Sequence, residues 1–177
     1  MQVFWSHGYA GTSIQQLVDA TGINRASLYT TFGDKERLFL AALDHYVAEV
    51  SAVRVARLRE ATSARAGLEQ YFDDLVSFGA GDGGGLGCLL TNAAVELAPH
   101  DPGVAARLQA SFGRVERALE ETIRRGQAAG ELDPARDPKA LAAFLVTVIQ
   151  GLRVLMRARA AEDQLRAVVK TALAAIG

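Results

Sequence analysis

The sequence predicts an all-α fold, for three reasons. Apolar residues recur every three or four positions over most of the 177 residues, the period of a helix with one buried face. Half of the residues are hydrophobic but only 7 % are aromatic, and alanine and leucine are abundant, which favours helix. Asn, Asp, Ser, Gly and Pro stand between the periodic segments, where helices start and stop.

Taken in order, Val3, Phe4 and Trp5 form the last apolar turn of a short first helix that reads as incomplete. Thr12 or Ser13 then caps a helix with Ile14, Leu17, Val18 and Thr21 on one face. Gly22 ends it, and Ile23 is expected to plug the turn. Asn24 caps the next helix, which buries Leu28 and Phe32 and shows Arg25, Ala26, Ser27, Tyr29, Thr30 and Thr31 on its other side. Two short helices joined by a tight glycine turn are the layout of a helix-turn-helix, whose second helix enters the DNA major groove. The small, polar or phosphate-bonding side chains outside that helix suit such a surface. An ordinary surface hairpin would show the same pattern.

Asp34 is expected to start one long helix running to about Ala61. A fifth spans about Ala64 to Phe78, with Leu68, Tyr71, Phe72, Leu75 and Val76 as its buried stripe. Gly79 to Gly87 reads as a flexible loop. Cys88 to Ala98 forms a sixth helix, and about Pro102 to Ala129 a seventh carrying Val104, Leu108, Phe112, Val115, Leu119 and Ile123. Lys139 to Ala158 is apolar over too broad a band for a helix with one wet side. The last helix repeats Leu165, Val168, Val169, Ala172, Leu173 and Ile176 at helical spacing.

Composition limits the function classes. A single cysteine rules out an internal disulfide and suits a reducing cytoplasm. No apolar run is expected to cross a bilayer, no leader is read at the start, and the chain is expected to be cytoplasmic. The glycine loop lacks the Gly-Lys-Ser/Thr end of a phosphate loop, His7, His45 and His100 are scattered, and the adjacent Asp73 and Asp74 point to different sides of a helix. No enzyme, cofactor or metal site is therefore expected. Charge weighs against nucleic acid: the first 45 residues set Arg25, Lys35 and Arg37 against Asp19, Asp34, Glu36 and Asp44. A helical ligand-binding or scaffold dimer that has lost DNA binding is the rival reading.

The runs Gly8 to Ile14 and Thr21 to Phe39, with Leu28-Tyr-x-x-Phe32-x-x-Lys35-Glu-x-Leu38 at their centre, resemble the N-terminal domain of the TetR (tetracycline-repressor-like) family of bacterial regulators. The resemblance implies a helix-turn-helix DNA-binding domain over residues 1–45 and a helical ligand-binding and dimerisation domain over 46–177. It also implies a homodimer that binds a palindromic operator on double-stranded DNA and is released by a small molecule. On that reading Thr12, Ser13 and Tyr29 contact phosphates, Lys35 reaches the backbone, and Arg25, Ala26, Ser27 and Thr30, with Thr31, face the groove. Arg25 alone can make a two-pronged bond to guanine, and a phosphate contact is its alternative role.

The same resemblance places a pocket among the middle helices. Tyr71, Phe72, Phe78, Cys88, Asn92, Glu96 and Phe112 are candidates to line it, or are plain core. Asn92 and Glu96, one turn apart, can orient a hydrophobic or amphipathic ligand, or Glu96 is simply solvated. Cys88 at a helix N-terminus is either a thiolate sensor of electrophiles or a small buried residue. In such proteins the last two helices pair with their mates, so Phe144, Val148, Leu152, Leu155, Leu165, Val169 and Leu173 are expected at a dimer interface, with Gly151 allowing close approach.

Overall fold

A computed structural model describes residues 1–81 and 85–177, and all regular structure among them is helical. The expected loop over Gly79 to Gly87 is met only in part. Gly79 and Ala80 still belong to a helix, and residues 82–84 lie outside those described.

Among the described residues ten α-helices follow in order: α1 (Gln2–His7), α2 (Ile14–Thr21), α3 (Arg25–Phe32), α4 (Lys35–Tyr46), α5 (Ala52–Glu60), α6 (Ala64–Ala80), α7 (Leu89–Glu96), α8 (Pro102–Ala128), α9 (Pro138–Arg157) and α10 (Glu162–Ala174). Six of these starts carry a side-chain cap, three of them (Ser13, Asn24 and Asp34) at residues the sequence names. Ser13, Asn24, Asp34, Ser63, Asp101 and Asp137 each accept a hydrogen bond from a backbone N–H of the following turn.

The long helix expected over 34–61 is continuous but not uniform. A π-helical stretch, Val47–Ser51, separates α4 from α5. Its wider turn shifts the phase of the buried face. Tyr46 is buried, but Val53, two α-turns further on, is 44 % exposed, and Val55 and Leu58 are buried instead. The shift lets one continuous helix serve two cores. The first core joins Phe4, Trp5, Leu17, Leu28, Phe39, Leu43 and Tyr46 to Cys88, Leu89, Ala93, Val104 and Leu108. The second joins Val55, Leu58, Tyr71, Phe72, Leu119, Leu145, Ile149, Leu152, Leu165 and Ile176. The N-terminal helices are therefore not packed by themselves: α7 and the start of α8 complete their core.

Two expectations fail here. Ile23 does not plug its turn and is 45 % exposed, because the αL conformation of Gly22 (φ 68°) carries the chain outward. By length and composition α9 is apolar enough to span a bilayer, contrary to the expectation that no run is. Its Ala142, Leu145, Ile149, Leu152, Arg153 and Met156 are instead buried within the protein.

Candidate nucleic-acid interface

The helix-turn-helix is built by its caps. Ser13 Oγ accepts from Gln16 N at 3.1 Å, and Gln16 Oε1 accepts from Ser13 N at 2.7 Å, a reciprocal capping box. Gly22 N–H donates to Val18 O at 2.8 Å and ends α2. Asn24 Oδ1 accepts from Ser27 N at 2.8 Å and starts α3. Along α3 only Leu28 is buried and Phe32 half-buried, so Arg25, Ala26, Ser27, Tyr29, Thr30 and Thr31 all face solvent as the pattern predicts. A helix so exposed gains little stability from its own packing, and a surface of that kind is available to a partner.

Other predicted contacts fall differently. Thr12 is 1 % exposed, and its hydroxyl donates to Gly8 O at 2.6 Å. It closes the turn between α1 and α2 and does not reach outward; Ser13, the exposed neighbour, is the true cap. Lys35 Nζ sits 4.4 Å from the centre of the Tyr9 ring, a cation–π contact with the turn between α1 and α2. The acidic residues are mostly directed elsewhere. Asp34 caps α4 and pairs with Arg37 at 3.7 Å, Asp44 pairs with Arg107 of α8 at 3.6 Å, and Asp19 accepts from Gln15 on α2.

The predicted pocket residues are dispersed. Tyr71 and Phe72 belong to the second core. Cys88 is buried in the first, with Phe78 and Phe112 packed partly buried against it. Asn92 uses its amide to hold Leu86 O at 3.0 Å. Glu96 is neither solvated nor turned inward. It accepts from Tyr9 N at 2.9 Å and Ala10 N at 2.6 Å, tying α7 to the turn that leads into α2. Of these residues only Tyr71 lines a described cleft, one of about 260 Å³ between α5 and α6.

Cys88 stands at the N-terminus of α7, as expected, but is 2 % exposed. Tyr46 Oη donates to its Sγ at 3.4 Å. Burial pushes the thiol up, but the charge of Arg153, the Tyr46 hydroxyl and Thr91 outweigh it and hold the thiol below its ordinary value. Burial and the neighbouring thiol push the Tyr46 phenol up in turn. Arg153 was not among the predicted residues. The available signal was a cation within the apolar stripe of α9, one turn beyond Ile149.

The predicted dimer residues divide into two groups. Leu152 of α9 and Leu165 of α10 are buried inside the protomer, within the second core. Phe144 is 42 % exposed, and Val148, Leu155, Val169 and Leu173 are half-buried. Phe144 and Val148 line a groove of about 470 Å³ between α9 and α10 with Val168 and Thr171. A Cβ at Gly151 would meet nothing within 4 Å in the protomer.

Residues 1–42 match the family described as bacterial regulatory proteins, tetR family, and residues 64–172 match a tetracyclin repressor-like C-terminal domain. The chain belongs to the TetR family. It is a helix-turn-helix transcriptional regulator. This TetR-family chain is 34 % identical over 98 % of its length to the HTH-type transcriptional repressor ComR of Escherichia coli (strain K12), of which it covers 83 %. It is 31 % identical to the HTH-type regulator YezE of Bacillus subtilis (strain 168), covering 99 % of this chain and 91 % of that one. Among solved structures, a cysteine mutant of the TetR-family regulator CifR complexed with 26bp double-strand operator DNA superposes with a TM-score of 0.87 at 39 % identity, covering 98 % of this chain and 91 % of that one.

Proposed function

We propose that this TetR-family regulator is a dimeric repressor that sets the α3 helices of two protomers into successive major grooves of a palindromic operator. A small amphipathic ligand bound among the middle helices releases it. The carrying observation is α3 itself, a helix capped at both ends whose whole outer surface is open. Likeness to CifR, which was solved with operator DNA, and to the repressor ComR supports the reading.

In this account residues 1–45 form the DNA-binding unit and 46–177 the ligand and dimer unit, although the two share a core. Arg25, Ala26, Ser27, Thr30 and Thr31 face bases, while Ser13, Tyr29 and Lys35 hold phosphates. The groove lined by Phe144 and Val148 receives the partner protomer. The protein acts as a regulator, not as an enzyme, on double-stranded DNA in the cytoplasm.

Selection of bound duplexes from a random pool tests this directly. The expected result is a palindromic consensus with half-sites about one helical turn apart. Enrichment without a consensus, by a protein that sediments as a monomer, rejects the proposal.

A further inference from the structure

The cleft of about 260 Å³ between α5 and α6 is open to solvent and bridged at two places. At its narrow end a Cβ at Gly67 would stand 2.7 Å from Ala61 Cβ, so the two helices touch there. Further along, Arg57 of α5 and Asp74 of α6 pair at 3.3 Å across the gap. Leu58, Ala61, Ala66 and Gly67 line the space with apolar atoms.

Most of the polar side chains around this space already have partners. Asp74 accepts from Arg57 Nη1 at 3.3 Å and from Gln70 Nε2 at 2.7 Å, and Ser63 Oγ donates to Glu131 at 2.7 Å. Arg54 and Tyr71 do not. Among the described residues Arg54 forms no ion pair, because the carboxylate one turn away, Asp74, is held by Arg57 and Gln70. Its guanidinium closes the wide end of the cleft, 5.3 Å from the centre of the Phe78 ring. Tyr71 is 4 % exposed. Its hydroxyl makes no hydrogen bond among the described residues, yet it does not belong to the side-chain atoms sealed from solvent without a partner. It therefore opens on the cleft that Tyr71 lines. Burial pushes the phenol up, against the charges of Arg153 and Arg54, so the hydroxyl keeps its proton and can donate. An apolar space with a few convergent polar groups is the composition of a small-molecule site.

We propose that this cleft binds a small aromatic or short-chain carboxylate, its anion on the Arg54 guanidinium and the Tyr71 hydroxyl and its apolar body against Leu58, Ala61 and Gly67. This rests on the reading that a small ligand controls operator binding, and it names the chemical class of that ligand. The volume, at the low end for ligand sites, limits the body to one ring or a chain of a few carbons. The place suits control. The wall formed by α5 is continuous through the π-helical stretch with α4, and α4 packs on α3. A body wedged between α5 and α6 bears on the helix that carries the recognition helix.

Full-length protein is titrated calorimetrically with benzoate, phenylacetate and hexanoate, and with the three matching neutral amides. At least one acid is expected to bind about tenfold or more tighter than its amide, as a charge-assisted bond allows. Arg54→Gln is expected to lose that preference. Tyr71→Phe keeps the ring and is expected to weaken the acid by about threefold or more, the worth of one hydrogen bond. Ala66→Leu, at an exposed position of α6, is expected to block acid and amide alike by filling the space. Should Arg54→Gln fail to fold, the acid–amide comparison on the unaltered protein, together with Tyr71→Phe and Ala66→Leu, decides. Equal binding of acids and amides, no acid binding tighter than about 1 mM, or a preference that survives in Arg54→Gln overturns the proposal. So does binding that is lost in Arg117→Gln but kept in Arg54→Gln, which moves the site to the groove of about 370 Å³ between α5 and α8. Operator gel shifts run in parallel separate the two readings. Acid binding without release keeps the site and removes its regulatory use. Release by neutral amides that persists in Arg54→Gln and Ala66→Leu keeps ligand control and removes this site.

Discussion

Arg25 occupies the first turn of α3 and is the one exposed residue there with a forked guanidinium. A bidentate bond to guanine O6 and N7 would make it the principal base reader, whereas a phosphate contact would carry no sequence information. Replacing it with alanine separates the roles. If Arg25 reads guanine, Arg25→Ala costs about 1–3 kcal/mol on the selected operator and little on random duplex. Competition binding with both duplexes checks this, and equal losses on the two assign Arg25 to phosphate. The neighbouring Thr12 shows how a single residue type misleads. A threonine before a helix has the chemistry of a cap or a phosphate ligand, yet here its hydroxyl is spent on Gly8 O.

At the scale of the elements, the contact between α7 and the start of the helix-turn-helix stands out. Glu96, at the last residue of α7, accepts from two backbone N–H groups more than eighty residues away in sequence. Hydrogen bonds to a charged acceptor contribute about 1.5–3 kcal/mol when shielded, and less for a half-exposed pair such as this. Glu96→Ala is therefore expected to lower stability by about 1 kcal/mol and to loosen the placement of α2 and α3 relative to α7. Thermal unfolding together with operator affinity checks it. Unchanged affinity with lowered stability would limit Glu96 to a structural clasp. The π-helical stretch acts on the same scale: by shifting phase after Tyr46 it passes one helix from the first core to the second.

At the scale of the whole molecule, the surface that asks for a partner is the groove between α9 and α10. Phe144 is exposed and Val148 half-buried, although both are apolar. A charge placed there is met twice across a twofold axis, so it disfavours association without disturbing the protomer. Phe144→Glu is expected to yield a folded monomer, with stability within about 0.5 kcal/mol of the parent protomer. Loss of cooperative operator binding should accompany it. Sedimentation velocity checks the first point, and a variant that remains dimeric would move the interface away from this groove.

The sequence by itself determined the helices, their caps and the outward face of α3. Those features depend on residues a few positions apart: Asn24 and Ser27, Ser13 and Gln16, Gly22 and Val18. A period of three to four likewise reports that one side of a helix is buried. It does not report against what. Leu152 and Phe144 have the same apolar character on the same helix, yet one is buried in the second core and the other is exposed. The tasks of Glu96 and Arg153 depend on partners distant in the chain or on packing that periodicity does not encode. Only the packing of α7 and α9 against the remaining helices decided them, because hydrogen-bond geometry and the cost of burying a charge are set by distances in space.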